Sequence, residues 1–219
     1  MSGKKKIAVV LSGCGVYDGA EIHESVLTLL AISRHGAEAV CFAPNIDQYH
    51  VINHLTGQEA AETRNVLVEA ARIARGQIAD LATFDATAVD ALVFPGGFGA
   101  AKNLSSFAFE GPGCTVEPGV ENAVKAMVAA GKPVAALCIA PALLAKILGS
   151  VELTIGQDAG TAAALEKLGA KHIPSRQTEV VVDRKLKVVT GPCYMLDSTV
   201  AEIADGADNA IKAVLELVG

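Results

Sequence analysis

Short, unbroken apolar runs alternate along this chain with longer stretches in which apolar residues recur every three or four positions. Runs of the first kind suit strands covered on both faces, and the periodic stretches suit amphipathic helices. Residues 7–11 (IAVVL) predict a buried strand that empties into the glycine-containing loop SGCGVYDG. A helix is expected over 21–34, with apolar positions at Ile22, Val26, Leu29, Leu30 and Ile32 and a stop at His35-Gly36. Residues 39–43 (AVCFA) read as a second buried strand, closed by Pro44. This β-α-β order implies a right-handed parallel crossover.

Residues 45–85 are less regular, with a helix expected over 63–75 inside a polar connection. Residues 91–94 (ALVF) predict a central strand followed at once by PGGFGAAKN, and 120–130 a helix stopped by Gly131. A strand over 134–137 runs directly into Cys138 and a helix over 139–148. Beyond it the pattern gives a strand at 153–155, a helix at 161–168, strands at 179–182 and 187–189, and a closing helix at 199–218. Together these predict an α/β fold with a doubly wound, mainly parallel sheet and helices on both faces, as a single domain over 1–219.

Composition agrees with that class. Hydrophobic residues make up 51% and charged residues 19%, enough apolar material to cover a sheet twice. With 4% aromatics and no Trp, the core must be filled by Ala, Val, Leu and Ile. The net charge of −6, with no cationic run beyond Lys4, Lys5 and Lys6, argues against nucleic acid as a partner. No apolar stretch reaches membrane-spanning length and no secretory signal core opens the sequence, which leads to the expectation of a cytoplasmic protein without a membrane partner. Five cysteines without a CxxC pair argue against a disulfide framework and against structural zinc. No metal or cofactor is expected.

Cys138 is the first candidate for chemistry. It stands on the corner between a strand ending at Leu137 and a helical pattern beginning at Ile139. Helix N–H groups behind such a residue favour a thiolate, with an expected pKa lowered toward about 3.5 to 7.5, which makes a nucleophile. From the residues alone a buried core cysteine is the commoner alternative. PGGFG, residues 95–99, lets backbone approach a ligand and turn an N–H toward it, although a tight turn also explains it. Glu24, on the helix after the first strand, either faces the thiol as a proton carrier or is a solvated helix residue. Cys14, Gly96 and Phe98 are further candidates for the pocket, Cys14 as a resolving thiol or a plain loop cysteine; Cys193, in GPCYM, has weaker support.

The strings IAVVLSG, GAEIHESVLTLLAISRHGAE, VFPGGFG, ALCIAPAL and VVVDRKLKVVTGP together resemble the ThiJ/PfpI, class I glutamine amidotransferase-like superfamily over nearly the whole chain. LSGCGVYDG, INHLTG, TRNVL, ARIARG and PGGFGAAKNL are similar to its ElbB-type subgroup of glyoxalase or isoprenoid-biosynthesis-associated proteins. The resemblance implies a flavodoxin-like sheet and a homodimer. It also implies Cys138 as nucleophile, Glu24 as its partner carboxyl group, and Gly97 with Ile139 as backbone donors around the sulfur.

One departure changes the expected chemistry. Many relatives place a His after the strand that follows the elbow helix, whereas this chain has LTIGQD at 153–158, with Gly156 near that slot. None of His23, His35, His50, His54 and His172 falls there. Glutaminase activity, which needs a positioned His, is therefore not expected. The resemblance points instead to a cofactor-free glyoxalase acting on small aldehydes or dicarbonyls. A redox-sensing cysteine protein or an amidotransferase-like subunit are the alternatives.

Overall fold

The computed structural model describes residues 3–219. The chain runs β1 (Lys6–Val10), α1 (Ile22–Arg34), β2 (Glu38–Ala43), a small hairpin of β3 (Ile52–Asn53) and β4 (Gln58–Glu59), α2 (Val66–Ile73) and β5 (Ile78–Asp80). It continues through β6 (Ala91–Phe94), α3 (Phe98–Lys102), α4 (Phe107–Glu110), α5 (Pro118–Ala129), β7 (Val134–Leu137) and α6 (Pro141–Leu148). The last third holds β8 (Glu152–Leu153), α7 (Ala159–Lys167), β9 (Lys171–His172), β10 (Val181–Asp183), β11 (Val188–Gly191) and α8 (Val200–Val218).

Seven strands form one sheet in the order β10-β11-β7-β6-β1-β2-β5, parallel throughout except for the antiparallel edge pair β10-β11. Period-two alternation sends successive side chains to opposite faces. Ala8, Val10, Leu92 and Phe94 join the core beneath α5 and α6, while Ile7, Val9, Ala91 and Val93 join the core beneath α1 and α8. The α/β architecture with helices on both faces matches expectation. Strand order reverses between β1, which leads to β2, and β6, which leads to β7. The carboxyl ends of β1 and β6 flank that switch point, the edge where sheets of this kind place their ligands.

Several boundaries move, for local reasons. Glu21, Asn65, Glu117, Asp158 and Thr199 each accept a hydrogen bond from an N–H in the first turn of α1, α2, α5, α7 and α8, so these residues cap their helices instead of belonging to them. The helix expected from 139 begins at Pro141, because Ile139 and Ala140 are used in the turn. The strand expected at 153–155 is reduced to Glu152–Leu153 and pairs with β9 outside the main sheet. The glycine loop after β6 leads into the short helix α3, and the irregular 45–85 segment hides the β3-β4 hairpin and the edge strand β5.

Candidate active site

Cys138 follows β7, whose four residues are all buried. Its N–H extends the parallel ladder by donating to the Gly191 carbonyl at 2.9 Å, after which the chain turns so sharply that Cys138 adopts φ = +60°. A non-glycine residue there is strained by about 1–2 kcal/mol. The turn closes with Ala140 N–H donating to Leu137 O at 2.9 Å, and α6 starts at Pro141, which needs no N–H partner. The side chain of Cys138 is thus lifted onto the strand–helix corner.

Two glycines after β6 make the neighbouring wall. Gly97 has φ = +97°, and a Cβ there would collide with the backbone of Gly19, Ala20 and Glu21. Close backbone approach stitches the loops after β1 and β6 together: Glu21 N–H donates to Gly96 O at 2.9 Å and Phe98 N–H to Val16 O at 2.8 Å. A Cβ on Gly96 would stand 2.5 Å from Glu24 Oε2 and 2.9 Å from Cys138 Sγ. Only a residue without a side chain lets these two groups meet.

Glu24, in the first turn of α1, is completely buried. Its Oε2 accepts from Gly96 N–H at 2.9 Å and its Oε1 from Tyr194 N–H at 3.1 Å. Burial, aided by the charge of Glu21, lifts its pKa to about 7, although the Tyr194 and Gly96 N–H groups and Cys138 oppose the rise. The Cys138 thiol lies against the Glu24 carboxyl group and faces the N–H groups of Gly97 and Ile139. Burial and the Glu24 carboxylate push this thiol well above 9.0. The expected lowered thiol pKa is therefore corrected: desolvation and a neighbouring anion outweigh the donors at the helix start. The resting pair is a thiol beside a carboxyl group poised near neutrality.

The thiol opens on a cavity of about 410 Å³. Its apolar wall comes from Val16, Phe98, Ile139 and Met195, and its polar groups from Glu21, Asp158, Thr161 and Tyr194. The structure thus brings together Cys138, Glu24, Gly96, Gly97, Phe98 and Ile139. Cys14 is not part of this wall; it is a half-buried loop cysteine whose charged neighbours are Glu69, Arg72 and Asp18. Cys193 does lie beside Glu24 and Cys138, buried with φ = +41° and its thiol raised by that burial first. Glu21, Asp158 and Tyr194 escaped sequence reasoning, yet the first two carry a signal: each stands three residues before a first-turn N–H that it caps.

None of the five histidines lines the cavity, although His23 stands directly behind its Tyr194. His23 Nδ1 pairs with Tyr194 Oη at 2.8 Å, His35 with Asp208 at 3.1 Å, and His54 Nε2 accepts from Tyr17 N–H at 3.2 Å. His50 lies 4.0 Å from Glu59, and His172 Nε2 accepts from Ile155 N–H at 3.4 Å. At the slot near Gly156, φ is +91° and a Cβ would approach Leu196 at 3.0 Å, so a histidine there would be both strained and crowded. A larger cavity of about 540 Å³ lies against α8 near Ser175, Asn209 and Lys212; no cysteine lines it.

A doubly wound sheet with a strained cysteine corner at its switch point and a buried carboxyl group against the thiol defines the class I glutamine amidotransferase-like type of α/β protein. No family model matches the chain. It is 51% identical over 224 residues to the human glutamine amidotransferase-like class 1 domain-containing protein 3, mitochondrial, covering 98% of this chain and 84% of that one. It is 50% identical over 226 residues to the Rattus norvegicus ES1 protein homolog, mitochondrial, covering 99% and 85%. The crystal structure of an Ehrlichia chaffeensis isoprenoid biosynthesis protein with amidotransferase-like domain superposes with a TM-score of 0.93 at 35% identity, covering 98% of this chain and all of that one. A Brachyspira murdochii ThiJ/PfpI domain protein shares the fold, with a TM-score of 0.61 at 17% identity over 98% of this chain and 97% of that one.

The chain belongs to the class I glutamine amidotransferase-like family and shares the fold of ThiJ/PfpI domain proteins. The expectation of a cytoplasmic protein is corrected by the names of its relatives, since the human, rat and zebrafish proteins are all called mitochondrial.

Proposed function

We propose that the protein is a cofactor-free glyoxalase that converts glyoxal, or a related small dicarbonyl, to the hydroxy acid. The observation that supports this reading is the Cys138 thiol opening on a cavity large enough for such a substrate, with the buried Glu24 carboxyl group directly behind the sulfur. A base matched to neutral pH is what a raised thiol requires.

In the first step Sγ adds to one carbonyl carbon while the thiol proton passes to Glu24. The oxyanion that forms is stabilised by the N–H groups of Gly97 and Ile139, takes up a proton, and gives a hemithioacetal. A proton then leaves the carbon bound to sulfur and another is gained at the second carbonyl carbon, with Glu24 as carrier. The product is the thioester of glycolate. Water hydrolyses it, releasing glycolate and restoring the thiol. No oxidant is consumed, because one carbonyl carbon is oxidised as the other is reduced.

The test is glycolate formation from glyoxal, followed by NMR. Wild-type protein is expected to form it and the Cys138→Ser variant to lose at least about 100-fold in rate; a variant that keeps full activity overturns the reading. The homodimer implied by the resemblance belongs to the same proposal, and analytical sedimentation at micromolar concentration tests it.

A further inference from the structure

We propose that the cavity over Cys138 selects by charge, admitting small electrophiles that are neutral or cationic and rejecting those that carry a carboxylate or phosphate. The inference rests on the cavity being the reaction site, and it narrows the substrate class.

Every ionisable side chain lining the cavity becomes negative when it loses its proton: Glu21, Asp158, Tyr194 and Cys138 itself. No lysine, arginine or histidine lines it. Lys102, at the end of α3, is the cation beside a lining residue; it sends its ammonium to the Tyr17 carbonyl at 2.9 Å and over the Phe98 ring, 5.1 Å from the centroid.

Helix N-termini are the usual alternative source of anion-binding N–H groups. Here the N-termini of α1 and α7 carry their own carboxylates, and the uncapped N–H groups of Gly97 and Ile139 face the sulfur of Cys138. Glu21 Oε2 accepts from Glu24 N–H at 2.7 Å at the start of α1, and Asp158 Oδ1 accepts from Thr161 N–H at 2.7 Å at the start of α7. Each cap fills the position that a substrate carboxylate would take and places a full negative charge there. An amino acid such as glutamine would bring its α-carboxylate into this field without a cation to meet it. Uncharged aldehydes and dicarbonyls, or aldehydes bearing an amine, meet no such repulsion.

The experiment uses the full chain and three methanethiosulfonate reagents of similar length: one hydroxyl-terminated, one sulfonate-terminated and one ammonium-terminated. Labelling rates at Cys138, read by peptide mass, are normalised to those of 2-mercaptoethanol under the same conditions. The cation-to-anion rate ratio is expected to exceed that of 2-mercaptoethanol by about tenfold or more. Asp158→Asn, which keeps a good helix cap, is expected to lower the ratio about threefold, and Asp158→Lys to bring it below that of 2-mercaptoethanol.

A wild-type ratio equal to that of 2-mercaptoethanol overturns the proposal, as does a ratio unmoved in both Asp158 variants. Failure of all three reagents to reach Cys138 overturns it too, since a cavity that admits nothing selects nothing. Labelling requires no turnover, so the two readings fail separately. A charge ratio without glycolate formation sinks only the glyoxalase assignment, and glycolate formation without a charge ratio sinks only this inference.

Discussion

Glu24 of α1 and Cys138 of the β7–α6 corner meet across the bare backbone of Gly96, whose N–H donates to the Glu24 carboxyl group at 2.9 Å. Burial raises both members of the pair.

Alkylation of Cys138 by iodoacetamide is therefore expected to rise with pH around the Glu24 value of about 7. Deprotonation of the base, not of an isolated thiol, sets the profile. In Glu24→Gln the rate at pH 7.5 should fall by about 100-fold and the rise should move above pH 9. A single rise near pH 9 in the wild type, unchanged by Glu24→Gln, would show that the two groups are not coupled.

The same carboxyl group ties stability to pH. Its folded pKa of about 7 stands above the unfolded value of 4.5, so the folded state holds the extra proton between these limits. That contribution is complete below pH 4.5 and declines as pH rises through 7, by about 3 kcal/mol in all. Urea titrations at pH 5 and pH 8 should show this loss in the wild type and a flatter dependence in Glu24→Gln. Parallel pH dependences in the two proteins would count against the raised carboxyl group. The comparison is of slopes, since Gln leaves one of the two N–H donors without an acceptor at any pH.

Gly96→Ala is expected to separate the pair physically. The new methyl group would overlap Glu24 Oε2 and Cys138 Sγ, and Cys138 is fixed by its backbone corner. A stability loss of about 1–3 kcal/mol should accompany loss of Cys138 reactivity. Unchanged alkylation kinetics in a folded Gly96→Ala protein would refute the close approach.

Strain at the corner can be measured directly. Cys138→Ala keeps the φ of +60° with a Cβ, whereas Cys138→Gly releases it. Glycine is ordinarily the less stabilising of the two, yet here it should be the more stable by about 1 kcal/mol. Equilibrium denaturation of both variants decides the matter, and a more stable alanine variant would mean the corner is relaxed.

Helix α8 offers a control remote from the site. Thr199 and Glu202 form a reciprocal cap, with Glu202 N–H donating to Thr199 Oγ1 at 3.2 Å and Thr199 N–H to Glu202 Oε2 at 2.7 Å. Thr199→Ala should cost about 1 kcal/mol while leaving Cys138 alkylation at wild-type rates.

The order of apolar runs and periodic stretches determined the parallel sheet, its helical layers and the corner position of Cys138, because these follow from local periodicity and turn chemistry that neighbouring residues carry. Family strings assigned roles to Glu24 and Gly97 and added Ile139 to that corner. Tertiary structure alone decided the rest. Whether Glu24 faces solvent or sulfur depends on the reversal of strand order that brings the β1 and β6 loops together. The same convergence excluded Cys14, admitted Glu21, Asp158 and Tyr194, and left Gly156 packed against Leu196. Protonation was the least legible property: a helix start behind a cysteine predicts a lowered pKa, and only the depth of burial beside a second acid shows that the thiol is raised instead.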